Sequence, residues 1–286
     1  MRLYVIPIVM MFYQLFGVIL LAVVSCAGVA SLRGRWKISF RHVVACVLVS
    51  VLGSLFLILG PQHQTEHILK ALVIGHIAIG FGLLGSGLLA IVARKGGWLH
   101  VWSGRCYFWL MAITTVNALL LALIHLNPFG MFFSVTTFYL VYTAYRIMPL
   151  AGGALKIHPF DGVFFVAALM ACAGLIAFAV VRYLGIQFTR NPNEAMRAAI
   201  FGGVSGCFIV YDFASFRGKT EFSRLRQHVL RMLAAYAVTA STASVVLLKF
   251  MNREVAALWP YAVLVPVGVF FLRRMPAGGK TKILTE

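Results

Sequence analysis

Read as hydrophobic and polar positions, the chain is a succession of long apolar blocks separated by short basic or Gly/Pro-marked breaks. Nine blocks lie at approximately 3–32, 42–60, 67–94, 103–126, 130–149, 160–185, 196–216, 228–248 and 258–273. An α-helix needs roughly 20 apolar residues to cross a bilayer. The pattern therefore predicts an all-α fold, a polytopic transmembrane helix bundle of about nine spans, or eight if the short last block does not cross. Gly60-Pro61, Gly96-Gly97, Asn127-Pro128, Gly152-Gly153, His158-Pro159, Asn191-Pro192 and Trp259-Pro260 fall between blocks or at a block edge, where the chain is expected to turn. No connection is long enough to hold a soluble domain. Residues 1–275 are expected to form a single transmembrane helical domain, and 276–286, with Gly278-Gly279 and its lysines, a flexible cytoplasmic tail.

Inside the blocks, small residues recur at helical spacing. Ala78, Gly82, Ser86 and Ala90 stand every fourth position, and His76, Gly80, Leu83 and Gly87 fall on a second face of the same predicted helix. Faces this thin let neighbouring helices approach closely. The seventh block carries Ala198, Gly202 and Gly206 in the same way. Trp98, Trp102, Trp109 and Trp259 stand near block ends and read as belt residues at the membrane interface.

Composition strengthens the membrane reading. The 286 residues are 62% hydrophobic and 11% charged, with a mean hydropathy of +0.94, which excludes an ordinary soluble domain. The formal charge of +18 does not point to nucleic acid, because the basic residues cluster between apolar blocks instead of forming an aromatic-interleaved basic domain. With the N-terminus outside and the C-terminus inside, eighteen of the 25 Lys and Arg residues fall on the cytoplasmic side. That asymmetry is the positive-inside signature and suits anionic lipid headgroups on that face. The cysteines, Cys26, Cys46, Cys106, Cys172 and Cys207, lie in or at the edges of apolar blocks without metal-ligand spacing, so packing is their expected role. Val23-Val24-Ser25-Cys26 resembles a lipoprotein cleavage box, but the long apolar run and the basic cluster Arg33, Arg35, Lys37 and Arg41 favour a retained helix.

Candidate chemistry centres on histidine. His76 is the only strongly polar residue from Val73 to Ala93, so a helix there carries an imidazole into lipid, which is costly and marks a buried polar site together with Asp212 in the seventh block. Asp212 can pair with a neighbouring arginine, and Asp161 stands where a helix N-cap would. His100 and His228 each open a span on the same side, each with an arginine close behind, Arg105 and Arg231. The stripe His100, Gly104, Tyr107, Met111, Thr114 is mirrored by His228, Met232, Ala235, Thr239, Thr242. Two imidazoles on facing helices are what axial ligation of b-type haem requires, and arginines there suit haem propionates or a quinone headgroup. His100, His228, Arg105, Arg231 and Tyr107 are therefore the candidate cofactor residues, with His100, His228 and His76 as candidate metal ligands. The plainer alternative is that these histidines only bond backbone or lipid phosphate. Hydrolase and transferase signatures are missing: there is no phosphate-binding glycine loop, GxSxG or zincin helix.

His76 with Gly80, Arg94-Lys95-Gly96-Gly97, His100, Gly104-Arg105, Tyr107, Asn127-Pro128-Phe129, Phe138-Tyr139-Leu140, Tyr145-Arg146 and the later His228, Arg231-Met232, Ala235-Tyr236 resemble the "domain of unknown function 2306" group of bacterial multi-pass membrane proteins. The resemblance covers about residues 70–250. It implies a bacterial inner-membrane protein without an established activity. Three readings stay open: histidine-ligated haem or metal electron transfer, a permease or transport-associated protein with a buried histidine site, and a structural or interaction protein without chemistry.

The basic asymmetry yields a direct test of topology. Reporter fusions after Gly97, Gly153 and the C-terminus should report cytoplasm, and fusions near Asn127 and Asn252 the outside. A periplasmic C-terminus would overturn both the span count and the sorting of the histidines by face.

Overall fold

The computed structural model describes residues 62–147, 155–156, 159–184, 194–216, 222–275, 280–281 and 283–284. The first two predicted spans, the Cys26 box, His42 and the side chains of His63 and His158 lie outside the described residues. Among the described residues there are seven helices: α1 (Gln62–Val92), α2 (Trp98–Ile124), α3 (Pro128–Ile147), α4 (Pro159–Tyr183), α5 (Glu194–Phe216), α6 (Arg224–Leu247) and α7 (Arg253–Arg274). Two minimal ladders accompany them. Leu155–Lys156 pairs in parallel with Ile283–Leu284, and Phe222–Ser223 pairs antiparallel with Lys280–Thr281.

Six of these helices, all but α3, are long and apolar enough to cross a membrane. The fold is therefore an all-helical, multi-pass membrane protein. Its burial pattern is that of a protein in lipid. Ile74, Val92, Val210 and Val265 are exposed, while Arg231, Asp212, Ser103 and Thr115 are buried. Helix α3 departs from the apolar rule because it is the most buried, with Val135, Phe138, Val141 and Ala144 fully enclosed. Protein rather than lipid surrounds it, so hydroxyl residues are tolerated. Ser134, Thr136 and Thr143 each bond back to carbonyls three or four residues earlier.

Each predicted block from the third onward has its helix, and most helices begin a few residues earlier, in polar or aromatic sequence such as Gln62 and Trp98. The ends follow local chemistry. The α1–α2 turn closes through Gly97 N–H to Arg94 O at 3.0 Å. Its third residue is Gly96 at φ 77°, the left-handed position that a type II turn reserves for glycine. Helix α2 ends in a Schellman pair, Asn127 N–H to Ala122 O and Leu126 N–H to Leu123 O, which holds Leu126 at φ 50°. Asn127 then caps α3 by accepting from Gly130 N–H at 3.0 Å, with Pro128 at the first helical position. Asp161 lies in the first turn of α4, inside the helix rather than at its cap. Helix α7 is capped by Asn252 and contains Pro260 and Pro266, so Trp259-Pro260 lies within the helix and is not the break that the sequence pattern predicts. Ser241 Oγ donates to Ala257 O at 2.7 Å, beside the turn that Pro260 loosens.

The described residues form two compact units. One takes 62–76, 112–136, 159–184 and 194–210. Its core is Leu175, Phe178, Ala179 and Ala198 with Phe129, Phe132, Phe133 and Phe201 packed on it. Cys172 is buried there and donates to Gly202 O, and Gly206 faces the same sulfur, which gives the small-residue stripe of α5 its partner. The other unit takes 77–111, 137–147, 155–156, 211–216, 222–275 and the two short terminal strands. Phe108 stacks on Tyr145 at 4.2 Å between ring centres, and Tyr107 lies 6.2 Å from Tyr236. Gly87 sits against both tyrosines: a Cβ there would fall 2.4 Å from the Tyr236 ring, which is itself held by its hydroxyl bond to Leu84 O.

This contact separates two glycines of the same helix. Gly87→Ala should lower the melting temperature in detergent, because an anchored ring has to move. Gly80→Ala, where nothing lies within 4 Å, should leave the melt unchanged or raise it slightly, alanine being the better helix former by about 1 kcal/mol. Equal melts for the two variants would mean that the close approach at Gly87 is not formed in solution.

Candidate functional site

The first of two polar constellations in the second unit is built from helical four-residue steps. On α6, Gln227 and Arg231 lie one turn apart, and on α3 so do Tyr139 and Thr143. Asp212 approaches from α5. Arg231 is fully buried and Asp212 nearly so. The guanidinium forks onto the carboxylate, Nη1 to Oδ2 at 2.8 Å and Nη2 to Oδ1. Its other donors reach Thr143 Oγ1 at 2.7 Å and Gln227 Oε1, the latter from both Nε and Nη2 at 3.3 Å. All five guanidinium N–H groups are thereby matched. The Tyr139 hydroxyl donates to Asp212 Oδ2, and Thr143 donates onward to Tyr139 O at 2.8 Å. Sequence reasoning singled out Asp212 and Arg231 but missed Tyr139, Thr143 and Gln227. The available signal was the pair of polar residues at four-residue spacing on each helix.

The second constellation is the histidine pair. His100 stands in the first turn of α2 and His228 in the second turn of α6. Their ring centres are 6.5 Å apart with planes at 78°. Each ring bonds a carbonyl in the last turn of another helix, where helix geometry leaves acceptors without partners. His100 Nδ1 lies 2.8 Å from Ala90 O and His228 Nδ1 lies 3.0 Å from Ala144 O. A carbonyl only accepts, so Nδ1 carries the proton in both rings, and in the neutral imidazole this leaves the lone pair on Nε2. Among the described residues neither Nε2 has a hydrogen-bond partner. Lys95 adds to the same helix end, donating to Ala90 O at 3.0 Å and to Ile91 O, with its ammonium 4.6 Å above the Phe271 ring. Partial desolvation there holds the Lys95 ammonium below the ordinary lysine range.

The stripes that start at the two histidines meet again further along: Tyr107 OH and Thr239 Oγ1 are 3.3 Å apart, and Tyr107 is buried. Arg105 is exposed. Arg231, next to the histidine pair in sequence, turns instead to Asp212.

His76 belongs to the first unit. Across from it Asn117 donates to Leu72 O at 3.2 Å, and His76 Nδ1, Asn117 Oδ1 and Thr114 Oγ1 are buried atoms without hydrogen-bond partners. No group of three or more His, Cys, Asp and Glu side chains converges among the described residues, so a metal there would rest on paired imidazoles and non-protein ligands. No family, no curated protein and no solved structure matches this chain.

The buried ion pair predicts a large and asymmetric mutational response. Asp212→Leu or Arg231→Met should each destabilise the protein by about 3–5 kcal/mol, because each leaves a buried charge without its counterpart. The double variant Asp212→Leu/Arg231→Met should cost clearly less than the sum of the two single changes. Unfolding in mixed detergent micelles measures this, and additive, small effects would mean the pair is solvated.

Proposed function

We propose that this membrane protein carries electrons within the bilayer through a centre held by His100 and His228, in its leading form a b-type haem. The observation that supports this most is the state of the two rings: both Nδ1–H groups are fixed on backbone carbonyls, and both Nε2 lone pairs are uncommitted. Fixing the outer nitrogen on a carbonyl is how metal-ligating histidines are oriented and their tautomer set. The separation fits as well. Ring centres 6.5 Å apart on two helices would let His100 and His228 hold one such group between them. Gly104, one turn along α2 from His100, has open space where a Cβ would project, so room exists on that face. The donor set thus suits haem iron, which when bound supplies reversible one-electron exchange.

Arg231 is not available for propionates, being wholly engaged with Asp212, Thr143 and Gln227, so among the two arginines of the sequence reading this role falls to Arg105. A quinone is the natural redox partner for such a centre. The same proposal includes nine spans with the N-terminus out and the C-terminus in, a bacterial inner-membrane location, anionic lipids on the cytoplasmic face and kinship with the domain of unknown function 2306 group. It rests for these on the block pattern, the basic asymmetry and the motif resemblance.

A permease is the second reading, favoured by the orphaned polar atoms around His76 and by a carboxylate inside the membrane at Asp212. Saturation argues against Asp212 as a proton carrier in the ground state: its oxygens already accept from Arg231 and Tyr139.

The test separates ligation from helix capping. Asparagine places an amide donor where Nδ1 sits and has nothing in the place of Nε2. His100→Asn and His228→Asn should therefore keep the carbonyl bonds and the fold while abolishing the Soret and reduced α-bands of protein expressed with ample haem. His125→Ala should keep both bands, His125 being exposed. A purified protein that is colourless and metal-free on elemental analysis would sink the redox proposal.

A further inference from the structure

A cavity of about 590 Å³ opens where the first turns of α6 meet the last turns of α7, with Tyr211 of α5 on its wall. Its lining is one-sided in charge: Arg226 and Arg273 come from two different helices, Ser223, Gln227 and Tyr211 supply neutral polar groups, and among the described residues no carboxylate lines it. Leu230, Val269 and Leu272 make the remaining wall apolar.

Three features make this more than a basic surface. Gln227 is nine-tenths buried and lines the cavity. Its Oε1 accepts twice from Arg231, so the amide is oriented with its NH₂ end away from that guanidinium, and among the described residues this nitrogen has no acceptor. An amide donor that opens onto a cavity has no protein acceptor there among the described residues, and a ligand can supply one. Ser223 is the N-cap residue of the 24-residue helix α6, yet its side chain makes no capping bond, and the first turn carries no acidic residue. Among the described residues the positive end of that helix thus has no counter-charge. Arg226 and Arg273 are both exposed at the cavity, whereas the adjacent Arg274 turns away onto the Phe270 ring at 4.1 Å.

From these features we infer that the cavity binds the anionic head of an amphipathic molecule, a phosphate or carboxylate group seated between Arg226, Arg273 and the Gln227 amide, with its apolar part along Leu230, Val269 and Leu272. The oxygens of such a group accept from forked guanidiniums and from the amide. The wall beyond them suits an acyl or isoprenoid chain. Gln227 connects this head to the Arg231–Asp212 pair, so an occupant is sensed one hydrogen bond away from the buried network. Two sources share this chemistry, a lipid headgroup from the surrounding bilayer and a soluble phosphate-bearing compound from the aqueous phase.

The experiment uses the full chain purified in neutral detergent, with two probes. Phosphatidylglycerol added in phosphatidylcholine bicelles is followed by native mass spectrometry, and inorganic phosphate by its effect on thermal unfolding. Arg226→Gln/Arg273→Gln should weaken binding about tenfold or more, while Arg274→Gln, outside the cavity, should leave it unchanged. Ser223→Glu is the second variant. A carboxylate suits a helix N-terminus, so the fold is kept, but its charge should exclude the anion. Retained phosphatidylglycerol with weak phosphate binding assigns a lipid, and saturable phosphate protection without lipid retention assigns a soluble ligand. Equal losses for Arg274→Gln and the cavity variants would show diffuse charge attraction and overturn the site, as would binding of neither probe or full binding by Ser223→Glu.

Discussion

The buried pair of Arg231 and Asp212 is the interaction around which the second unit is arranged. A guanidinium removed from water is tolerable only when its charge is balanced and its donors are matched. Meeting that condition takes three helices: Asp212 from α5, Thr143 from α3 and Gln227 from α6 itself. The pair is not thereby a strong net source of stability, since desolvation offsets most of its attraction. What it does is fix orientation. Helix α6 carries Arg, Gln, His, Tyr, Thr and Ser residues, so an apolar gradient alone does not decide which side faces lipid. Once Arg231 must reach Asp212, the rotation of α6 is set, and His228, Ala235 and Thr239 turn with it.

Much of the fold was legible in the block pattern, because lipid forces every spanning segment into a self-satisfied helix and so into a long apolar run. Helix α3 shows where that logic weakens. A helix enclosed by protein is released from the demand for apolarity, and its Thr and Tyr residues serve the interior instead. The helix starts were less legible for a related reason: interfacial turns such as Trp98–His100 and Arg224–Gln227 are polar or amphipathic but helical, so apolar runs underestimate them.

The site residues divide in the same way. The mirrored stripes from His100 and His228 were readable because both histidines and their small followers obey helical spacing, and the rings do come together in the structure. The role of Arg231 was not readable. Three residues beyond His228 it looked like part of that site, yet on a helix a three-residue step also rotates a side chain toward a different neighbour. Which neighbour holds a carboxylate depends on packing between helices, and no local spacing encodes that. Tyr139 and Thr143 were hidden by composition, as hydroxyl residues in a block already rich in them.

The contrast between the two constellations bears on where chemistry resides. In the Arg231 network the guanidinium donors and the Asp212 oxygens are occupied, so moving a proton or admitting a ligand there first requires breaking buried bonds. The histidine pair is half occupied by design of the backbone: helix ends leave carbonyls that need donors, and the imidazoles answer with Nδ1. That same bond holds each ring in one tautomer and leaves Nε2 as an acceptor with no protein partner among the described residues. The requirement that satisfies the backbone thus also orients Nε2, with no further residue needed to do so. Saturated polar groups specify the fold and unsaturated ones are available for function, which is why the functional reading is placed on His100 and His228 rather than on the more deeply buried charges beside them.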